Sequence, residues 1–187
     1  MIDYFIVAYW FTLYNLLYFG FYNNRKTTIM LIALIHASLV TTLAGISLYV
    51  YGIDFVRSNL VLELVTSKIS FWYFFNDLVL LLLFDLNIIY IIHHLCALLA
   101  IYYTIKLGFG LSAVMLILFL GEITNPFRLA KQMVYEHNKL TYSILNFIFS
   151  WLFLIVRCVF MTYYYFLMLN NFIPHIDDMY TKYIITI

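Results

Sequence analysis

The chain has 187 residues and a formal net charge of +1, with 66% hydrophobic, 21% aromatic and only 10% charged residues. A soluble domain carries about 25% charged residues, so this chain cannot clothe its surface in solvated groups, and lipid is its natural solvent. Ten Lys and Arg against nine Asp and Glu also exclude nucleic acid as a partner, because phosphate binding draws on a surplus of cationic side chains.

A membrane-spanning helix needs about 20 mostly apolar residues. Tyr4 to Tyr22 supplies the first, ended by the polar run Asn23-Asn24-Arg25-Lys26. Asp3 stands where a signal peptide would carry positive charge, so this segment reads as a retained helix. Thr28 to Tyr51 is the second span. Asp54 to Ser70, with Asp54, Arg57, Glu63 and Lys68, reads as an interfacial helix or an extension of the third span. Phe71 to Tyr103 is too long for one span and divides at Asp85-Leu86-Asn87 into a third and a fourth. Leu111 to Phe127 is the fifth, continued by the polar Arg128 to His137. Tyr142 to Leu169 is the sixth, followed from Asn170 by a polar tail with Pro174, Asp177 and Asp178.

The expected fold is therefore all-α: a polytopic membrane helical bundle of about six transmembrane helices around a polar intramembrane chamber, one domain over residues 1–187. Lys and Arg in the connections divide five to four. Arg25, Lys26, Arg128, Lys131 and Lys139 cluster on the side assigned to the cytosol. Arg57, Lys68, Lys106 and Lys182 lie opposite. Cys96 and Cys158 fall in apolar runs, which argues against a disulfide framework.

All but three charged residues fall in connections, tails or helix ends. Asp77, Glu122 and Arg157 lie inside apolar runs, with His36, His93, His94, Asn76 and Asn125. Ionisable groups at membrane depth are costly and mark a pathway or a reaction site. A rise of ~1.5 Å per residue puts His36 roughly 12 Å, His93 and His94 roughly 8–9 Å and Glu122 roughly 9 Å from helix ends on one side. Pro126 has no N–H for the Glu122 carbonyl, so a kink is expected there. Glu122 and Arg157 read equally as an ion pair locking two helices. His93 and His94 point about 100° apart on a helix, so only one needs to face inward. His93 is favoured, because Cys96 and Ala97 leave room beside it. No ligand spacing diagnostic of a metal is present.

In order, these residues resemble the TLC-domain family of membrane proteins, which includes ceramide synthases, TRAM proteins and small lipid-homeostasis proteins. The matching pieces span residues 25–165. They are Arg25 with Ile35-His36-Ala37, Phe74-Phe75-Asn76-Asp77, Ile92-His93-His94-Leu95, Gly121-Glu122-Ile123-Thr124-Asn125-Pro126-Phe127 and Phe153-Leu154-Ile155-Val156-Arg157. The resemblance implies an acyltransferase of lipid metabolism in the endoplasmic reticulum or related endomembrane. His93 or His94 would be base or acyl acceptor, with Asp77 or Glu122 orienting the ring. His36, Asn76, Asn125 and Arg157 would bind a membrane lipid or fatty-acyl substrate. No cofactor is expected to be tightly bound, and acyl-CoA would be the co-substrate. Ceramide synthases follow the His pair with an aspartate-rich stretch, whereas this chain has Gly121-Glu122. It also lacks the family's final span, for which the first helix or a homodimer would substitute, or which truncation would explain. These departures place it nearer the small lipid-homeostasis members. A non-catalytic lipid-binding or lipid-homeostasis protein and a membrane adaptor or cargo receptor are the alternative readings.

Overall fold

The structure is a computed structural model that describes residues 2–22, 24–84, 86–135, 138–171 and 173–176. Among these, every regular element is helical. Helix α1 (Ile2–Leu17) continues into a π-helical turn (Tyr18–Tyr22), and α2 (Arg25–Tyr51), α3 (Val61–Phe84) and α4 (Ile88–Leu107) follow. Then come α5 (Leu111–Glu122), α6 (Asn125–Val134) and α7 (Lys139–Phe153). A second π-helical turn (Leu154–Phe160) joins α7 to α8 (Met161–Asn171), and a 3₁₀ turn covers Ile173–His175.

Five helices are long and apolar enough to cross a membrane, as in an integral membrane protein: Arg25–Tyr51, Val61–Phe84, Ile88–Leu107, Leu111–Val134 and Lys139–His175. The first expected span is shorter in regular structure, with 16 α-helical residues before the π turn. The uncertain stretch from Asp54 to Ser70 divides in two. Residues from Val61 onward extend α3, and those before it form a connection. Asp85, Asn23, Glu136, His137, Asp177, Asp178 and Lys182 lie outside the described residues.

Local chemistry explains the helix ends. Asn24, Asn87 and Asn138 occupy N-cap positions with extended backbone, and each side chain accepts a hydrogen bond from a first-turn N–H, the preferred way to satisfy those donors. At the other ends, α2 and α4 stop at Gly52 and Gly108, with φ of 70° and 79°, a conformation that glycine adopts without strain.

The two connections on that far side are tied together. Asn59 donates from Nδ2 to the Thr104 carbonyl at 3.1 Å and accepts from the Leu111 N–H at 3.0 Å. Asp54 accepts from the N–H groups of Val56 and Arg57, both at 3.1 Å. The Arg57 guanidinium reaches Glu63 Oε1 at 2.6 Å and the Tyr51 carbonyl at 2.7 Å. Glu63 Oε2 accepts from the Leu60 N–H at 3.1 Å, which anchors the start of α3.

Helix α5 is the centre of the bundle. Its residues Leu111 to Leu116, Leu118, Leu120 and Glu122 are all buried, as expected of a helix that is apolar all round and surrounded by protein. Helix α1 is fastened to α3: Lys68 Nζ donates to Asp3 Oδ2 at 3.0 Å, Trp72 Nε1 to Asp3 Oδ1 at 3.3 Å, and Trp10 Nε1 to the Ile69 carbonyl at 3.3 Å. The hydrogen bond from Lys68 holds the Asp3 carboxyl below the usual carboxylate range. The long last helix keeps large apolar groups such as Phe147, Trp151, Val159 and Phe166 exposed, a surface suited to lipid.

Alternating helix directions put Asn24 and Asn138 on the same side. Single cysteines at these positions, with Cys96 and Cys158 replaced by Ser, are expected to react with an impermeant maleimide from one side only. Labelling of the two from opposite sides would overturn the arrangement.

Candidate functional site

Helix α4 turns His94, Leu98, Ile101 and Thr104 toward the protein, positions that share one helical face. This setting buries His94 and leaves its neighbour His93 exposed. The ring that faces the protein is thus His94. Cys96 is exposed as well and shares the outer face of His93, whereas Ala97 packs partly buried against the core.

Both nitrogens of the His94 ring have defined surroundings. Nδ1 lies 2.8 Å from the Tyr90 carbonyl. A carbonyl can only accept, so Nδ1 carries a proton, and the tautomer is set from within the helix. Nε2 lies 2.8 Å from Asp77 Oδ2 on α3. That oxygen is close without being aligned as a hydrogen bond, so the axis of Nε2 is not taken up by it. With Nδ1–H committed, the approach of carboxylate and ring nitrogen is favourable only if a proton resides on one of them. His94 and Asp77 thus form an imidazole–carboxylate couple across α3 and α4.

Aromatic rings connect this couple to His36. The Phe74 ring lies 5.2 Å from His94 and 5.3 Å from His36, both edge-on. His36 stacks on Tyr73 at 3.7 Å between centroids and meets Trp10 edge-on at 5.9 Å. Its Nε2 is 3.4 Å from Ser70 Oγ. His36 is 1% exposed, and its ring is enclosed by Trp10, Tyr73 and Phe74.

The fifth span breaks where proline predicts. Helix α5 ends at Glu122 and α6 restarts at Asn125, with Pro126 in its first turn. Glu122, also buried, accepts from Asn125 Nδ2 at 2.7 Å, and Asn125 Oδ1 accepts from Arg128 Nε at 3.3 Å. The ion pair between Glu122 and Arg157, one of two equal readings of the sequence, is not formed among the described residues. Arg157 Nη2 donates instead to the carbonyl of Gly121, an acceptor left over where the helix breaks. Arg157 sits within the second π-helical turn, a local widening often found where a helix carries a special side chain.

The structure thus brings together His36, Asp77, His94, Glu122 and Asn125 from α2 to α6, with Arg157 at the helix break. Asn76 is half-buried. Tyr73, Phe74 and Ser70 join the group, and their spacing of four, three and seven residues from Asp77 along α3 is the signal that could have marked them. Two apolar cavities lie elsewhere. One of 70 Å³ is bounded by Phe55, Leu116 and Met168, and one of 280 Å³ by Phe5, Ile6, Tyr9, Trp10, Leu39 and Ile69. Among the described residues no three His, Cys, Asp or Glu side chains gather as metal ligands. No family model, curated protein or solved structure matches the chain.

Proposed function

We propose that this chain is a TLC-like multi-pass membrane protein of lipid metabolism that transfers a fatty acyl group from acyl-CoA to a membrane lipid. In this reading about six spans surround a polar chamber in the endoplasmic reticulum or a related endomembrane, and the His94–Asp77 couple is the base. The single observation that carries it is the state of the His94 ring, with Nδ1–H fixed on Tyr90 and Nε2 beside a carboxylate.

Deprotonated, the couple presents the Nε2 lone pair to an amine or hydroxyl on the acceptor lipid. As that group attacks the thioester carbonyl, its proton passes to Nε2 and Asp77 stabilises the imidazolium. The new acyl bond forms, the C–S bond breaks, and the couple returns the proton to the departing thiolate. Glu122, Asn125 and Arg128 polarise the neighbouring space. Arg157 and Asn76 take the substrate-binding role, and acyl-CoA enters as a co-substrate.

Mass spectrometry of the purified protein after exposure to acyl-CoA tests the reading. Transfer to a co-purified lipid, or an adduct of acyl mass on His94, is the expected result. A bound lipid with no acyl consumption would favour the second reading, a lipid-holding protein, which the 280 Å³ apolar cavity beside α1 supports. Neither lipid nor acyl chemistry would leave the adaptor reading.

A further inference from the structure

Helix α3 is unusual in burying a polar face. Glu63, Ser67, Ser70 and Tyr73 are all buried, and they follow one another at steps of three and four residues that Asp77 continues. Residues so spaced share a face of the helix, with Cβ atoms about 5–6 Å apart. Small hydroxyl residues are common where membrane helices approach closely, and alanine serves that purpose equally well, as Ala37 and Ala44 do on α2. Two observations go beyond packing. The Ser67 hydroxyl is fully buried and has no hydrogen-bond partner, a costly condition in a protein interior. Ser70, one step further along, approaches the enclosed ring of His36 at 3.4 Å, which carries the polar line from α3 to an imidazole near mid-membrane.

We propose that this seam is a transmembrane proton path. It runs from the Arg57–Glu63 pair through Ser67, Ser70 and His36 to Tyr73 and the Asp77–His94 couple. Tyr73 stacks on the His36 ring at 3.7 Å and lies four residues before Asp77 on the same face of α3, so the seam continues past the aromatic box. The charged and titratable groups facing it are Arg57 from the preceding connection, His36 from α2, His94 from α4, and Glu122 and Arg128 from α5 and α6.

Each step of about 5–6 Å between successive side chains is one that a single water molecule bridges with two hydrogen bonds. A proton from water binds one oxygen or ring nitrogen as another leaves on the far side of that group. Each group is restored when its neighbours turn over; one proton enters, one leaves, and nothing is oxidised. At its two ends the side chains of Arg57 and Asp77 are 22% and 17% exposed. This path does not rest on the acyl-transfer reading.

The test reconstitutes the full chain in liposomes holding a trapped pH-sensitive dye, with valinomycin and potassium to clamp the potential, followed by an external pH jump. Internal pH is expected to follow faster than in protein-free vesicles. Ser67→Ala, Ser70→Ala and His36→Phe, checked for folding by detergent melting, are each expected to return the rate to the protein-free level. Thr66→Val is expected to leave the rate unchanged, because the Thr66 hydroxyl is already committed to the Leu62 carbonyl at 2.8 Å. A wild-type rate equal to that of empty vesicles overturns the proposal. So does flux that survives in the folded serine variants, or flux lost equally in Thr66→Val.

Discussion

His94→Ala is expected to abolish acyl transfer in a protein that still folds, whereas His93→Ala is expected to leave most of it. The asymmetry comes from the rotation of α4. His94 faces Asp77 with its tautomer set by Tyr90, while the His93 ring is exposed and touches the group only through the edges of Phe74 and His94. A general base contributes roughly 10²–10⁴-fold to rate, and losing it leaves acceptor deprotonation to water. Asp77→Asn is expected to fall between the two, because the amide can still orient the ring but cannot stabilise an imidazolium. Turnover of labelled acyl-CoA in reconstituted vesicles, read against detergent melting, separates chemistry from folding. A loss carried by His93, or normal turnover with both histidines replaced, would defeat the assignment.

Glu63→Ala is expected to give the largest loss of stability. Glu63 is 1% exposed and joins two structures at once, the Arg57 guanidinium at 2.6 Å and the Leu60 N–H at 3.1 Å. Removing it strands a largely buried cation. Breaking such a pair costs about 3–5 kcal/mol, and the remaining bond from Arg57 to the Tyr51 carbonyl places the expectation at the lower end, about 3 kcal/mol. The effect should appear as a clear drop in detergent melting temperature. Glu63→Gln should lose less, since it keeps an acceptor for Leu60 and still lacks the charge. Melting indistinguishable from wild type in Glu63→Ala would show that this clamp does not hold the start of α3.

How much of this was legible in the sequence varies element by element. The starts of α4 at Ile88 and α5 at Leu111 were readable, because the apolar runs resume at those residues. The break near Pro126 was readable as well, since a missing N–H has a fixed address four residues back. The stretch from Asp54 to Ser70 was ambiguous. Its charges looked the same whether they capped a helix or closed a loop, and the outcome depended on Asn59 finding Thr104 and Leu111 across the chain and on Glu63 pairing with nearby Arg57 and Leu60. The partner of Arg157 stayed open for a related reason. Opposite charges inside apolar runs allowed an ion pair with Glu122 as well as a substrate contact, but the helix break exposed a carbonyl that the guanidinium reached instead.

The sequence by itself determined that lipid is the solvent, that the chain is helical, and which stretches can span. These follow from composition and from the need of every backbone polar group in lipid to pair within its own segment. Only the tertiary structure decided which way each helix is turned. In lipid nearly every face of α4 is apolar enough to point outward, so hydropathy does not choose between His93 and His94. Close packing with neighbouring helices makes that choice, and with it the identity of the buried ring, its couple with Asp77 and the polar seam of α3.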